Sequence, residues 1–394
     1  MNAVIRGWCP SAYRPMKSGD GLIVRLKPKY SSITPEQLYV LAELSDAYGS
    51  GYIEVTSRAN LQIRGVRECS FQRLLDCLID EKLVDQNPAV ESRRNFIVSP
   101  FRSESSFDHD RIADALSSHL VAPGIPELPS KFGFVIDVNP RIRHLANASG
   151  DIRFETATNG QLMVRAEGAE KGRIVSNEVE AVDTAMEMTR WFTTSNGIGT
   201  DGRGRMKRHL EAGSELPEAL RGNAIPAEQG PVLKPGVTGK CYCVGSPFGL
   251  FSSKQLRIIC DQSGPVIRVT HERLLMLDKG MLGFAFNREA GFILDEDDPI
   301  QCVYGCTGEA GCPQATVETR LLAKELSLML DAQATLHVSG CSKGCAHPGP
   351  VDIAIVGNHG RFDLIVNGCA SEKPRATGLS REEVLAIVGE IDAV

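Results

Sequence analysis

From Val55 to Val66 polar and apolar residues alternate with a period of two, the signature of a half-buried strand. Thr56, Arg58, Asn60, Gln62 and Arg64 would share one face, and Val55, Leu61 and Ile63 mostly the other. The preceding segment is built differently. LIVRLKP reads as a strand, and Thr34-Pro35-Glu36-Gln37 then opens a helix with a capping-box pattern and Pro at its first position. That helix stops near Gly49 and the strand YIEVT follows.

The same order returns at 244–277, with a Ser-started helix, a stop at Gly264 and the strand VIRVT. A second pair of segments, 132–168 and 334–368, each reads as a strand, an irregular loop and a hairpin. Their turns, Asn159-Gly160 and His359-Gly360, occupy equivalent places. Helices are expected before both blocks, near 109–120 and 313–330, and an extra helix, VEAVDTAMEMTRWF, lies in 169–235. The order A–B–A′–B′ predicts an α+β protein duplicated about a pseudo-twofold axis. Its expected units are 1–90, 91–235, 236–295 and 296–394, with the halves joining near 225–237.

Composition narrows the class. The 394 residues exceed one ordinary core, and 42% hydrophobic with 23% charged residues fits a globular protein. A net charge of −6 without a basic run argues against nucleic acid. No secretory leader is recognisable, and no apolar run approaches the roughly 20 residues of a membrane span, so a cytoplasmic protein with no membrane partner is expected.

The 12 cysteines are unevenly spread. Cys9, Cys69, Cys77, Cys260 and Cys369 look like isolated small apolar residues, and the Cys241/Cys243 pair receives no role. Cys306-x5-Cys312 and Cys341-x3-Cys345 instead place two pairs on glycine-rich loops. Bare amides there can approach cluster sulfurs, and the five-residue gap exceeds the about two to four residues usual between paired zinc cysteines. The four thiols are read as ligands of a [4Fe–4S] cluster. Pro313 should open the following helix, setting Cys312 at a helix N-terminus whose dipole favours a thiolate.

Arg25 and Lys27 alternate on the strand beside 55–66. With Arg58 and Arg64 they put four cations on adjoining strands, a site suited to a polycarboxylate. Gly197 to Gly202 spells G-x-G-x-x-G, but it follows a helix rather than a strand and lacks a βαβ unit. It is not read as a dinucleotide site, so electrons should come from a separate donor.

The cysteine pattern followed by His-Pro resembles the sulfite/nitrite reductase superfamily over nearly the whole chain. That resemblance implies two ferredoxin-like half-domains and two α/β cluster-type domains, with Cys345 also facing the centre of a tetrapyrrole. It implies that Arg25, Lys27, Arg58, Gln62 and Arg64 bind substrate or cofactor, and that Arg94 and Lys131 are catalytic anion-site residues. The reductases carry a second lysine two residues after the first, where this chain has Gly133. Together with the opening RGWCPSAYRPMKSGDG, this resembles the precorrin-3B synthase branch.

The branch implies a monooxygenase that hydroxylates precorrin-3A with O₂ and forms a lactone in aerobic cobalamin biosynthesis. A separate electron-donor system fed by NADH would supply the electrons. The activating iron would be the cluster-linked site or a separate mononuclear non-haem iron. No compact 2-His-1-carboxylate pattern marks the latter, and His109, His144, His271, His337, His347 and His359 are read as structural. The alternative is a siroheme-dependent sulfite or nitrite reductase. Gly133 should leave the reductase-type anion pocket weaker and roomier.

Overall fold

The computed structural model describes residues 10–102, 105–125, 127–278, 286–330 and 334–391, so Cys9 lies outside the described residues. Capping chemistry sets the two best-matched elements of the duplication. Helix Pro35–Tyr48 begins at a complete capping box, Gln37 N donating to Thr34 Oγ1 at 3.2 Å and Thr34 N to Gln37 Oε1 at 3.3 Å. Helix Ser253–Gln262 repeats it with Ser252 and Gln255 at 3.2 and 2.9 Å. Each helix follows a turn with two consecutive residues at positive φ, Tyr30 and Ser31 in one half, Phe248 and Gly249 in the other. The repeat therefore extends to individual backbone angles.

Each half-domain contributes a five-stranded antiparallel sheet, and each sheet borrows its last strand from the other half. In the first, Met16–Ser18, Gly21–Leu26, Leu61–Val66 and Tyr52–Val55 are completed by Leu250–Ser252. In the second, Gly236–Thr238, Cys241–Val244, Leu275–Asp278 and Ile267–Val269 are completed by Ser32–Ile33. The exchange merges the two units into one core, in which Leu38, Leu41 and Ile53 pack with Phe251, Leu256 and Ile259. Arg257 of the second helix pairs with Glu43 and Asp46 of the first at 2.5 and 2.6 Å.

The other two units are also copies. Phe96–Val98, Phe134–Asp137 and Ile152–Thr156 run parallel, followed by antiparallel Leu162–Ala166 and Arg173–Ile174. Val303–Gly305, Leu336–Ser339 and Val351–Asn358 repeat the parallel set, followed by antiparallel Arg361–Gly368 and Ala376–Leu379. Helix His109–Leu120 crosses over in the first and Arg320–Ser327 in the second. The extra helix spans Glu178–Thr194. No described helix is long and apolar enough to cross a membrane.

Two local expectations fail. Residues 55–66 are not one strand but the second half of a hairpin, with a turn at 56–60. Thr56 N donates to Asn60 O at 2.9 Å, Asn60 N returns to Thr56 Oγ1 at 3.2 Å, and Ala59 takes φ 52°. The Thr56 hydroxyl closes this turn without glycine or proline. Residues 313–319 do not continue a helix either. Their amides are committed elsewhere, Thr316 N to Gly340 O at 3.1 Å and Ala315 N to Cys312 O at 3.0 Å, and the helix begins only at Arg320. Cys312 therefore has no helix N-terminus beside it, and the expected dipole contribution falls away.

Candidate active site

The 56–60 turn carries Arg58 to the wall of a cavity of about 760 Å³, between the first half-domain and the unit that follows it. Arg58 is held by its own donors, Nη1 to Lys131 O at 3.2 Å and Nη2 to Ser149 Oγ at 3.1 Å. Arg25 and Lys27, side by side on one face of strand Gly21–Leu26 and its continuation, line the same wall. Arg14 and Arg93 join them, and Glu127 is the carboxylate among the lining residues. Five cations against one carboxylate make the cavity an anion site.

Lys27 is only 8% exposed, and its Nζ donates to Glu91 O at 3.0 Å and Ser92 O at 2.9 Å. Burial lowers its pKa to about 8; Glu91 opposes this, and Arg94, Arg25 and Arg58 add to it. Arg94 Nη2 donates to Lys27 O at 3.1 Å and to the buried Glu91 Oε2 at 2.8 Å, so it backs the lysine. Lys131 is exposed, its carbonyl taking the Arg58 bond.

Arg64 departs from its expected place. It is 7% exposed and does not line the cavity. Nε donates to Asp20 Oδ2 at 3.0 Å, and Nη2 reaches Ser18 Oγ at 3.0 Å and Gly311 O at 3.1 Å, on the first cysteine loop. The sequence had grouped Arg64 with Arg58, but the hairpin turn separates them. Gln62 is 4% exposed and accepts from Arg25 Nε and Nη2 at 3.1 and 2.8 Å. Sequence reasoning missed Arg14 and Arg93, although Arg93 stands beside Arg94. It also discounted 197–202, from which Ile198 and Gly202 form part of the cavity wall.

At Gly133 the expectation of extra room is wrong. A Cβ there would lie 2.9 Å from Asn95 O and 3.8 Å from Arg58 Nη1. The position is closed by backbone, so it does not enlarge the cavity.

The cysteine loops leave the ends of two adjacent parallel strands, Cys306 after Val303–Gly305 and Cys341 two residues after Ser339. Gly340 N donates to Cys306 Sγ at 3.1 Å, the kind of amide–sulfur bond that tunes a thiolate ligand. A Cβ at Gly340 would strike Ala315 Cβ at 2.4 Å, so only glycine brings that amide so close. Burial pushes the Cys345 thiol up, Lys343 opposes this, and Cys341, Cys306 and Cys312 push it further; all three lie within charge–charge reach. Among the described residues no three His, Cys, Asp or Glu side chains converge as a single-ion site requires. A polynuclear cluster spreads its ligand sulfurs and does not ask for that convergence. The residues present fit such a cluster. Cys302 sits at the far end of strand Val303–Gly305 from Cys306.

The first copy shows what replaced the ligands. By strand register Ser99 stands where Cys306 does, and Asn139 where Cys341 does. Ser99 N donates to Ile136 O at 2.9 Å as Cys306 N does to Val338 O at 3.3 Å. Asn139 Nδ2 bonds Ser99 Oγ at 2.9 Å, so a side-chain hydrogen bond fills the place of the thiols.

Residues 14–78 match the nitrite/sulfite reductase ferredoxin-like half domain. The structure of the Mycobacterium tuberculosis NirA protein superposes with a TM-score of 0.58 at 18% identity, covering 94% of this chain and 80% of that one. The ferredoxin–nitrite reductase of Leptolyngbya laminosa is 22% identical, over 90% of this chain and 80% of its own length. Fold, duplicated units and domain match give the chain the nitrite/sulfite reductase-like architecture. The precorrin-3B synthase of Sinorhizobium sp is 30% identical over 94% of this chain and 85% of its own length. The chain belongs to the precorrin-3B synthase family and is an oxidoreductase.

Proposed function

We propose that the chain hydroxylates precorrin-3A with O₂ and closes a lactone, in the cytoplasm, as a step of aerobic cobalamin biosynthesis. One oxygen atom enters the product and the other leaves as water, with reducing equivalents from a separate donor system fed by NADH. The observation that carries this reading is the cation-lined cavity of about 760 Å³. It lies within the roughly 300–1,000 Å³ of ordinary ligand sites, and its charge suits a macrocycle edged with carboxylates.

Arg25, Lys27 and Arg58 would take those carboxylates, with Gln62 fixing the Arg25 guanidinium. Arg94 holds the Lys27 backbone from behind, and Lys131 holds Arg58 through its carbonyl. Cys306, Cys312, Cys341 and Cys345 would hold a [4Fe–4S] cluster, which when bound supplies electrons one at a time. Closure at Gly133 supports the synthase over the reductases, because this backbone leaves no place for their second lysine.

The test supplies purified protein with reductant, ¹⁸O₂ and precorrin-3A, and follows the product by mass spectrometry. The expected result is a hydroxylated lactone carrying one labelled oxygen. Brisk sulfide or ammonia production from sulfite or nitrite, with siroheme bound and precorrin-3A unchanged, would overturn the reading in favour of a reductase.

A further inference from the structure

A continuous polar chain runs from the cavity to the cysteine loop. It begins at Arg25 on the cavity wall, which donates twice to Gln62 Oε1. Gln62 Nε2 donates to Glu54 Oε2 at 3.2 Å, and that oxygen lies 4.0 Å from Arg64 Nη1. Arg64 Nη2 then donates to Gly311 O at 3.1 Å, one residue before Cys312. The same carbonyl receives Gly19 N at 3.2 Å and Ser18 Oγ. Three donors on one carbonyl pin the loop to the first half-domain. A Cβ at Gly311 would lie 2.8 Å from Arg64 Nη2 and 2.1 Å from Thr307 Cγ2, so the close approach requires glycine.

The Gln62 amide has one sensible orientation, oxygen toward the cation and nitrogen toward the carboxylate. Whatever draws Arg25 into the cavity therefore weakens its hold on Gln62 and alters the charge balance around Glu54 and Arg64.

The duplication offers an internal control on whether the fold needs this chain. Strand register places Cys243 opposite Met276 in the second half as Arg25 stands opposite Gln62 in the first. The second sheet is thus built with two apolar residues at those positions, Cys243 and Met276 both fully buried. Its further pair has reversed signs, Arg268 Nη1 lying 3.5 Å from Asp278 Oδ1 where the first half has Glu54 and Arg64. The sheet stands without the Arg–Gln link; the copy that keeps it is the one that touches the cluster loop.

We propose that Gln62, Glu54 and Arg64 are positioning residues that couple occupancy of the cavity by a carboxylated macrocycle to the electron affinity of the cluster. The inference rests on the reading that Cys306, Cys312, Cys341 and Cys345 hold a cluster and that the cavity takes precorrin-3A. A carboxylate on Arg25 lessens the positive charge relayed toward Gly311, which makes adding an electron harder. Coupling of this kind is reciprocal, so the macrocycle binds the oxidised protein more tightly than the reduced one.

The experiment is an anaerobic, EPR-monitored redox titration of the cluster-loaded protein with and without precorrin-3A, which is not turned over in the absence of O₂. The wild type should show about a fivefold affinity difference between redox states, a fall of about 40 mV at 59 mV per tenfold for one electron. Gln62→Met, which copies the second half, should keep the cluster spectrum and lose more than half of the shift. Glu54→Gln carries the same test should Gln62→Met fold poorly. A wild-type potential indifferent to the macrocycle, or the full shift persisting in a folded variant, overturns the coupling while leaving the function intact. Protein that assembles no cluster, or binds no precorrin-3A, defeats the functional reading and the coupling together.

Discussion

Lys27 gives the cavity a titration that the arginines cannot. Its pKa is lowered to about 8, chiefly by burial. Two of its three protons are committed to Glu91 O and Ser92 O, leaving one N–H for a ligand. Charged Lys27 pairs with a carboxylate and neutral Lys27 does not, so affinity follows the charged fraction. That fraction is about nine-tenths at pH 7 and about one-tenth at pH 9. Macrocycle affinity should therefore fall up to about ninefold over those two units, or about 1.3 kcal/mol. Ligand carboxylates are fully ionised throughout this range and arginines stay charged, so neither contributes a slope.

The linked stability change has a definite sign. Between about pH 8 and the ordinary lysine value near 10.4 the unfolded chain binds more protons than the folded one, so stability rises with pH there. Anaerobic fluorescence titration of precorrin-3A binding at a series of pH values measures the affinity, with Lys27→Met as the control that should be flat. A wild-type affinity constant from pH 7 to 9, or an equal slope in Lys27→Met, would refute the assignment.

Cys306→Ser, Cys312→Ser and Cys341→Ser should each abolish or badly impair cluster assembly by iron and sulfide analysis, while Cys302→Ser retains a full cluster. Gly133→Ala should lower stability by about 1–3 kcal/mol in thermal melts, because its Cβ meets the Asn95 carbonyl at 2.9 Å. Thr34→Ala and Ser252→Ala each remove a capping-box hydroxyl and should cost about 1 kcal/mol; equal losses in chemical denaturation would show the two caps to be energetic as well as geometric copies.

The duplication was legible because it repeats features with strong local chemistry, the Thr34 and Ser252 caps and the hairpin turns. The cysteine loops were legible for the same reason. The 56–60 turn was not, since Thr56, Ser57, Arg58, Ala59 and Asn60 include neither glycine nor proline, and a Thr hydroxyl does the closing. Arg64 was misplaced because its partner Gly311 lies 247 residues away, and no local periodicity reports such a contact. The exchanged strands, Ser32–Ile33 and Leu250–Ser252, are two and three residues long, too short to leave a pattern. The helix expected at Pro313 failed because residues 313–319 bond to another loop, a tertiary demand that outweighs a good helix-starting residue.

The strand exchange also sets how far the two copies can differ. A lone copy of the repeating unit has four strands of its own and a short segment that fits only another copy's sheet. Two separate copies of such a unit would complete each other by trading that segment, in the manner of a symmetric swapped dimer. Held in one chain, the two copies need not be identical. The first copy carries Ser99 and Asn139 where the second has Cys306 and Cys341, the second carries Cys243 and Met276 where the first has Arg25 and Gln62, and each keeps the strand it depends on.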